Sequence, residues 1–79
     1  MTARLVFLGR LEDLAGVPEM DVEPGMLATV LTKLDPALAV ELLSERVRLA
    51  LNGRLLGEAG DVVLAAGDEL AFLPPVSGG

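Results

Sequence analysis

The sequence predicts an α+β domain, with one mixed β-sheet and helices packed on a single face. Three observations carry that prediction. Strand-like and helix-like periodicities alternate along 79 residues in the order strand, short helix, strand, helices, strand, turn, strand. The opening run Arg4-Leu5-Val6-Phe7-Leu8 is almost uninterrupted apolar sequence, which predicts a strand buried on both faces and central in the sheet. Finally, Leu27, Val30, Leu31 and Leu34 fall at i, i+3, i+4 and i+7, so one helix offers the sheet an apolar stripe.

The remaining elements follow in order. After the first strand and Gly9, Leu11, Leu14 and Ala15 return at helical spacing, with Gly16 as a C-terminal stop. Glu19-Met20-Asp21-Val22-Glu23 alternates as a strand with one wet face does, and its nearness in sequence predicts antiparallel pairing with the first strand. Pro24-Gly25 reads as punctuation. Beyond the striped helix, Asp35-Pro36 supplies an N-cap and a first-turn proline for a second helical stretch to about Leu43. Arg46-Val47-Arg48-Leu49-Ala50-Leu51 alternates again. Asn52-Gly53 is a two-residue hairpin signal, so Arg54-Leu55-Leu56 should turn back beside it. Asp61-Val62-Val63-Leu64 is a short extended piece, and Gly57, Gly60 and Gly67-Asp68 mark turns. Glu69-Leu70-Ala71-Phe72-Leu73 is the last strand, ended by Pro74-Pro75.

Length and composition bound what this chain can do. Residues 1–79 make one small domain, with no room for a second. At 52% apolar the chain can build a core, and that core must be largely aliphatic because Phe7 and Phe72 are the only aromatics. There is no Cys and no His, which excludes a disulfide frame, a zinc site and a Cys or His nucleophile. A formal charge of −6, from twelve acidic and six basic side chains, argues against nucleic acid as a partner. It favours a partner with a basic docking surface, although acidity that only keeps an apolar domain soluble explains it as well. The apolar run near the N-terminus is too short for a signal peptide or a membrane span, so a cytoplasmic protein with no membrane partner is expected.

No set of side chains assembles an enzyme site. Lys33, the single lysine, lies off the apolar stripe and reads as solvated. Glu12-Asp13 and Asp68-Glu69 are adjacent pairs, which do not face each other on a helix or a strand. The internal glycines are scattered singly and form neither a phosphate loop nor a dinucleotide fingerprint. What remains is the ending, Pro74-Pro75-Val76-Ser77-Gly78-Gly79. Two prolines stiffen the exit, and two glycines leave almost no steric limit on the backbone. Two glycines alone would equally fit a frayed end. Residues 74–79 nevertheless follow directly on a compact domain, and their extended reach is roughly 20 Å. A flexible functional tail is therefore expected, able to place the Gly79 carboxylate inside another protein's active site. A carboxylate becomes an acyl donor once adenylation with ATP turns its oxygen into a leaving group. The expectation is a carrier that binds no cofactor itself, the ATP being used by an activating enzyme.

Particular residues extend this. Leu51-Asn52-Gly53 and the stretch from Gly67-Asp68-Glu69-Leu70-Ala71 through Phe72-Leu73-Pro74-Pro75-Val76-Ser77-Gly78-Gly79 closely resemble the sulfur-carrier (small) subunits of molybdopterin synthase, a ubiquitin-like β-grasp family. Arg4-Leu5-Val6-Phe7 and Leu11-Glu12-Asp13-Leu14-Ala15-Gly16 resemble that family's first strand and short helix. The resemblance implies that a ubiquitin-activating-like adenylyltransferase makes a glycyl-adenylate at Gly79, which sulfur converts to a thiocarboxylate. It implies that Pro75, Val76, Ser77 and Gly78 thread the active site of the large catalytic subunit. Phe72 and Pro74 would contact partners at its mouth, although Phe72 serves equally well as core. The sulfur would pass to cyclic pyranopterin monophosphate, forming the dithiolene of molybdopterin. The assembly implied is a heterotetramer, two carriers on a dimer of large subunits. The chain would be the sulfur-donor subunit of a sulfurtransferase, without catalytic residues of its own and without a metal.

One position departs from that pattern. Met26 stands where relatives commonly start the main helix with a capping Thr, so this helix should be capped otherwise or fray. Other readings stay open: a sulfur carrier for thiamine, cysteine or tRNA thiolation, a ubiquitin-like modifier of lysines, or an interaction module with an inert tail.

Overall fold

Described over residues 1–56 and 62–75, the computed structural model opens with β1 (Ala3–Phe7). Ala3, Leu5 and Phe7 are buried, whereas Arg4 is exposed and Val6 half-buried. Burial on both faces is therefore corrected: the helices cover one face of β1 only. Next, α1 (Arg10–Ala15) buries Leu11 and is stopped by Gly16. The chain then returns as β2 (Glu19–Val22), antiparallel to β1 with Met20 opposite Leu5, as its alternation predicts.

The middle of the chain differs most from expectation. Pro24-Gly25 is more than punctuation, because β3 (Gly25–Met26) pairs antiparallel with β6 (Val63–Leu64) in a separate two-stranded ribbon. Two-residue strands carry no periodicity to read. The striped helix is short: α2 (Leu27–Leu31) ends in tight turns, with Lys33 N–H bonded to Val30 C=O and Leu34 N–H to Leu31 C=O. Met26 offers α2 no side-chain cap, and the ribbon supplies the substitute, since Leu27 N–H donates to Val62 C=O at 2.9 Å. Asp35 caps α3 (Pro36–Leu42) as expected, accepting from the amides of Ala37 and Leu38 at 3.1 and 3.3 Å.

β4 (Arg48–Leu51) and β5 (Arg54–Leu56) form the expected hairpin. Asn52 and Gly53 both have positive φ, 50° and 86°, as a type I′ turn requires. The last strand, β7 (Glu69–Leu73), lies parallel to β1 and antiparallel to β4, so the sheet is mixed in the order β2-β1-β7-β4-β5. β1 lies inside the sheet between β2 and β7, as a central strand should, and β7 stands at the midpoint. Gly57, Gly60 and Asp61 lie outside the described residues.

One apolar cluster joins the layers. Leu5, Phe7, Leu49, Leu70 and Phe72 face it from the sheet, and Leu11, Leu27, Val30, Leu31, Leu38 and Leu42 from the helices. Helices of five to seven residues do not persist alone in water, so this packing holds them. Among the described residues, no helix is long and apolar enough to cross a membrane.

Candidate functional site

The site is the place where the chain leaves the sheet. β7 is bonded on both sides, so the tail starts from an interior strand of the sheet. Alternation along Glu69–Leu73 turns Leu70 and Phe72 inward. Phe72 is 0% exposed and stacks on Phe7, with ring centroids 5.7 Å apart and planes 13° apart. This corrects Phe72 as a partner contact: a ring closed inside the core touches no docking protein.

Beyond Phe72 the exit is fixed by a close approach. Gly9 lies at φ 56°, and a Cβ built there would stand 2.9 Å from Cγ of Pro74. Pro74 therefore rests on a backbone that only glycine leaves open. Pro74 and Pro75 are half-buried, while Val76, Ser77, Gly78 and Gly79 lie outside the described residues. Gly9→Ala should cost about 1–3 kcal/mol from the strained backbone alone. It should also shift the Pro74 resonances, as denaturant titration and NMR would record. An unchanged midpoint would refute the close approach.

The other end of β7 is tied to the hairpin. Asn52 donates from Nδ2 to Oδ1 of Asp68 at 3.0 Å and accepts from the Glu69 amide at 2.9 Å. Asp68 Oδ2 accepts from the Ala65 amide at 2.9 Å, and Arg4 N–H donates to Asp68 C=O at 2.8 Å. The Ala65 amide first, and the Asn52 amide group second, hold the Asp68 carboxyl below its ordinary value of 3.8. A carboxyl depressed in the folded state contributes stability that is present above the ordinary value and lost as pH falls through the folded one. Acid titration should therefore remove more stability from the wild-type chain below about pH 3.8 than from Asp68→Asn. Parallel acid limbs would contradict this.

The sheet face away from the helices holds a feature that one-strand periodicity does not reveal. Register aligns Val6, Ala71, Ala50 and Leu55 in one row across β1, β7, β4 and β5. Val6, Ala71 and Ala50 are half-buried, and Leu55 is 67% exposed. Leu73, one step nearer the exit, lies opposite Arg48 on the same face. An uncovered apolar row thus crosses the sheet, with Leu73 and Arg48 on the side of the exit, Arg4 and Glu69 on the other side, and Glu19 at the β2 end. The signal was present only as small or apolar residues between core positions. Among the described residues no charged or polar side chain is buried, and no group of three His, Cys, Asp or Glu could hold a metal.

Comparison with known proteins agrees with this architecture. A model of the ThiS family matches residues 5–79. The small archaeal modifier protein 1 (SAMP1) of Haloferax volcanii superposes with a TM-score of 0.76 at 25% identity, covering 100% of both chains. SAMP1 of Methanosarcina acetivorans gives 0.75 at 26% identity, covering 100% of this chain and 99% of that one. A candidate molybdopterin converting factor, subunit 1, from Pyrococcus furiosus gives 0.69 at 24% identity, covering 96% and 99%. That last likeness speaks to the ubiquitin-like β-grasp fold alone.

Proposed function

The chain belongs to the ThiS family, and from that premise we propose that this ubiquitin-like carrier donates sulfur from Gly79 in molybdopterin biosynthesis. The Gly79 carboxylate attacks the α-phosphorus of ATP in a ubiquitin-activating-like adenylyltransferase, and pyrophosphate leaves. A sulfur nucleophile then adds to the acyl carbon and AMP departs, leaving a thiocarboxylate. The large catalytic subunit of molybdopterin synthase takes the tail into its active site, and the sulfur passes to cyclic pyranopterin monophosphate. Pro75, Val76, Ser77 and Gly78 line that passage, while Pro74 stays with the body. The body docks through the row Val6, Ala71, Ala50 and Leu55.

The observation that carries this reading is the exit itself. A strand fixed on both sides runs into Pro74 packed on Gly9, so docking the sheet face sets where the tail starts. The residues from Phe72 to Gly79, as they stand in the sequence, favour the molybdopterin pathway. The likeness to SAMP1, a modifier protein by name, favours a second reading in which an amine attacks the same adenylate and an amide forms.

Intact mass measurement separates them. Incubation with ATP, sulfide and an activating enzyme should raise the mass by the difference between sulfur and oxygen, localised to Gly79. Adding the large subunit and cyclic pyranopterin monophosphate should then reverse it with formation of molybdopterin. A stable thiocarboxylate that never passes to the pterin would defeat the pathway assignment. Adducts on lysines of other proteins would support the modifier.

A further inference from the structure

β2 is an edge strand, and its outer edge is unpaired among the described residues. The register identifies which groups it offers. Phe7 N–H donates to Pro18 C=O at 2.9 Å, whereas Arg4 N–H donates to Asp68 C=O at 2.8 Å, so Ala3, Leu5 and Phe7 bond toward β2 and Arg4 bonds toward β7. Their partners Val22 and Met20 turn their backbone groups inward to β1. The intervening Glu19 and Asp21 therefore point N–H and C=O outward.

Beside this edge runs a groove of about 310 Å³ between β2 and α2. Met20, Val22, Val30 and Leu34 give it apolar walls, and Thr29 and Lys33 stand on the helix side. Met20, Val22 and Leu34 pack on the core yet remain half-buried, so apolar surface stays uncovered there. The charge around the edge is lopsided. Glu19, Asp21 and Glu23 lie on and beside it, against Arg4, which lies 3.6 Å from both Glu19 and Asp21, and Lys33, 3.3 Å from Glu23, while Asp68 and Glu69 stand beyond β1.

We propose that the outer edge of β2 binds an extended peptide, which adds a strand at Glu19 and Asp21, sinks an apolar side chain into the groove beside α2, and carries lysine or arginine at its flank. Backbone bonds to the edge supply affinity, and the groove selects alternate side chains. The carboxylates select the basic flank and speed the encounter. This surface lies on the far side of β1 from β7, so it can be occupied independently of the tail.

The probe is a synthetic peptide of strand length, alternating valine and threonine with a lysine at each end. Added to the isotope-labelled chain, it should shift the amides of Glu19, Asp21, Thr29 and Lys33 and slow hydrogen exchange at Asp21. Replacing the terminal lysines with glutamates should weaken it about tenfold or more. Asp21→Pro removes an outward N–H, which an edge strand tolerates, together with the carboxylate beside Arg4, and should abolish binding while the remaining spectrum keeps its folded pattern. Thr29→Arg, which crowds and charges the groove from exposed helix surface, should do the same without touching β2. Shifts confined to Val6, Ala71 and Leu55 would overturn the proposal, as would equal binding of the glutamate peptide. So would β2 shifts that appear with rising protein concentration alone, because the occupant would then be a second copy of this chain.

Discussion

Deletion of Gly79 should abolish thiocarboxylate formation while leaving folding and docking unchanged. The shortened chain still ends in a glycine carboxylate, that of Gly78, so the chemistry of the terminal group is preserved. What changes is reach. The acyl carbon falls short by about 3.5 Å, one extended residue. If the body docks through the sheet face as proposed, it cannot advance to compensate, because Pro74 is seated on Gly9. A misplacement of about 1 Å at a reacting atom costs on the order of 100-fold, so the loss should exceed that and reach background. Gly79→Ala keeps the length and adds one methyl, and should retain more activity than the deletion wherever the channel has room for a Cβ. The measurements are intact mass after incubation with ATP, sulfide and activating enzyme, with affinity for that enzyme alongside. A deletion variant that is thiocarboxylated as fast as wild type would remove Gly79 from the mechanism. One that no longer binds would show that the tail, rather than the sheet face, supplies docking energy.

The parts of this fold that were legible in the sequence are those whose causes are local. Asn52-Gly53 makes its turn because both residues accept positive φ, and Asp35-Pro36 starts a helix because a carboxylate and a ring suit the first turn. Alternation alone gave Met20 and Val22 their inward side. Hidden were the features set by distant neighbours. Val62 caps α2 across a gap in sequence, and only pairing with Val63 and Leu64 turns Gly25 and Met26 into a strand. The first strand looked two-faced because Val6 is apolar, yet its outer neighbours are Ala71 and an open sheet face. The candidate site divides the same way. The glycine ending is readable as letters, whereas Gly9 beneath Pro74 needs two remote segments side by side. The row proposed for docking exists only once four strands are in register.

Phe72 shows how an inner and an outer position on one strand should separate by experiment. Truncating it to alanine removes a wholly buried ring and its stack on Phe7, at a cost of about 3–5 kcal/mol. A domain of this size commonly has only about 5–10 kcal/mol in total. Phe72→Ala should therefore lower the denaturation midpoint severely and leave a substantial unfolded fraction when warmed. Any loss of sulfur transfer should follow that unfolded fraction, and stabilising conditions should restore both together. Leu55 is the control on the opposite face. At 67% exposed, Leu55→Glu should change stability by no more than about 0.5 kcal/mol. It places a charge in the apolar row, however, and should weaken binding to the activating enzyme or the large subunit by about tenfold or more. The two variants should thus cross, one losing fold and the other losing partner. If Phe72→Ala kept its midpoint and lost only binding, the ring would belong to an interface. If Leu55→Glu bound normally, the body would dock through some other surface, and the Pro74 exit would be the only fixed reference for the tail.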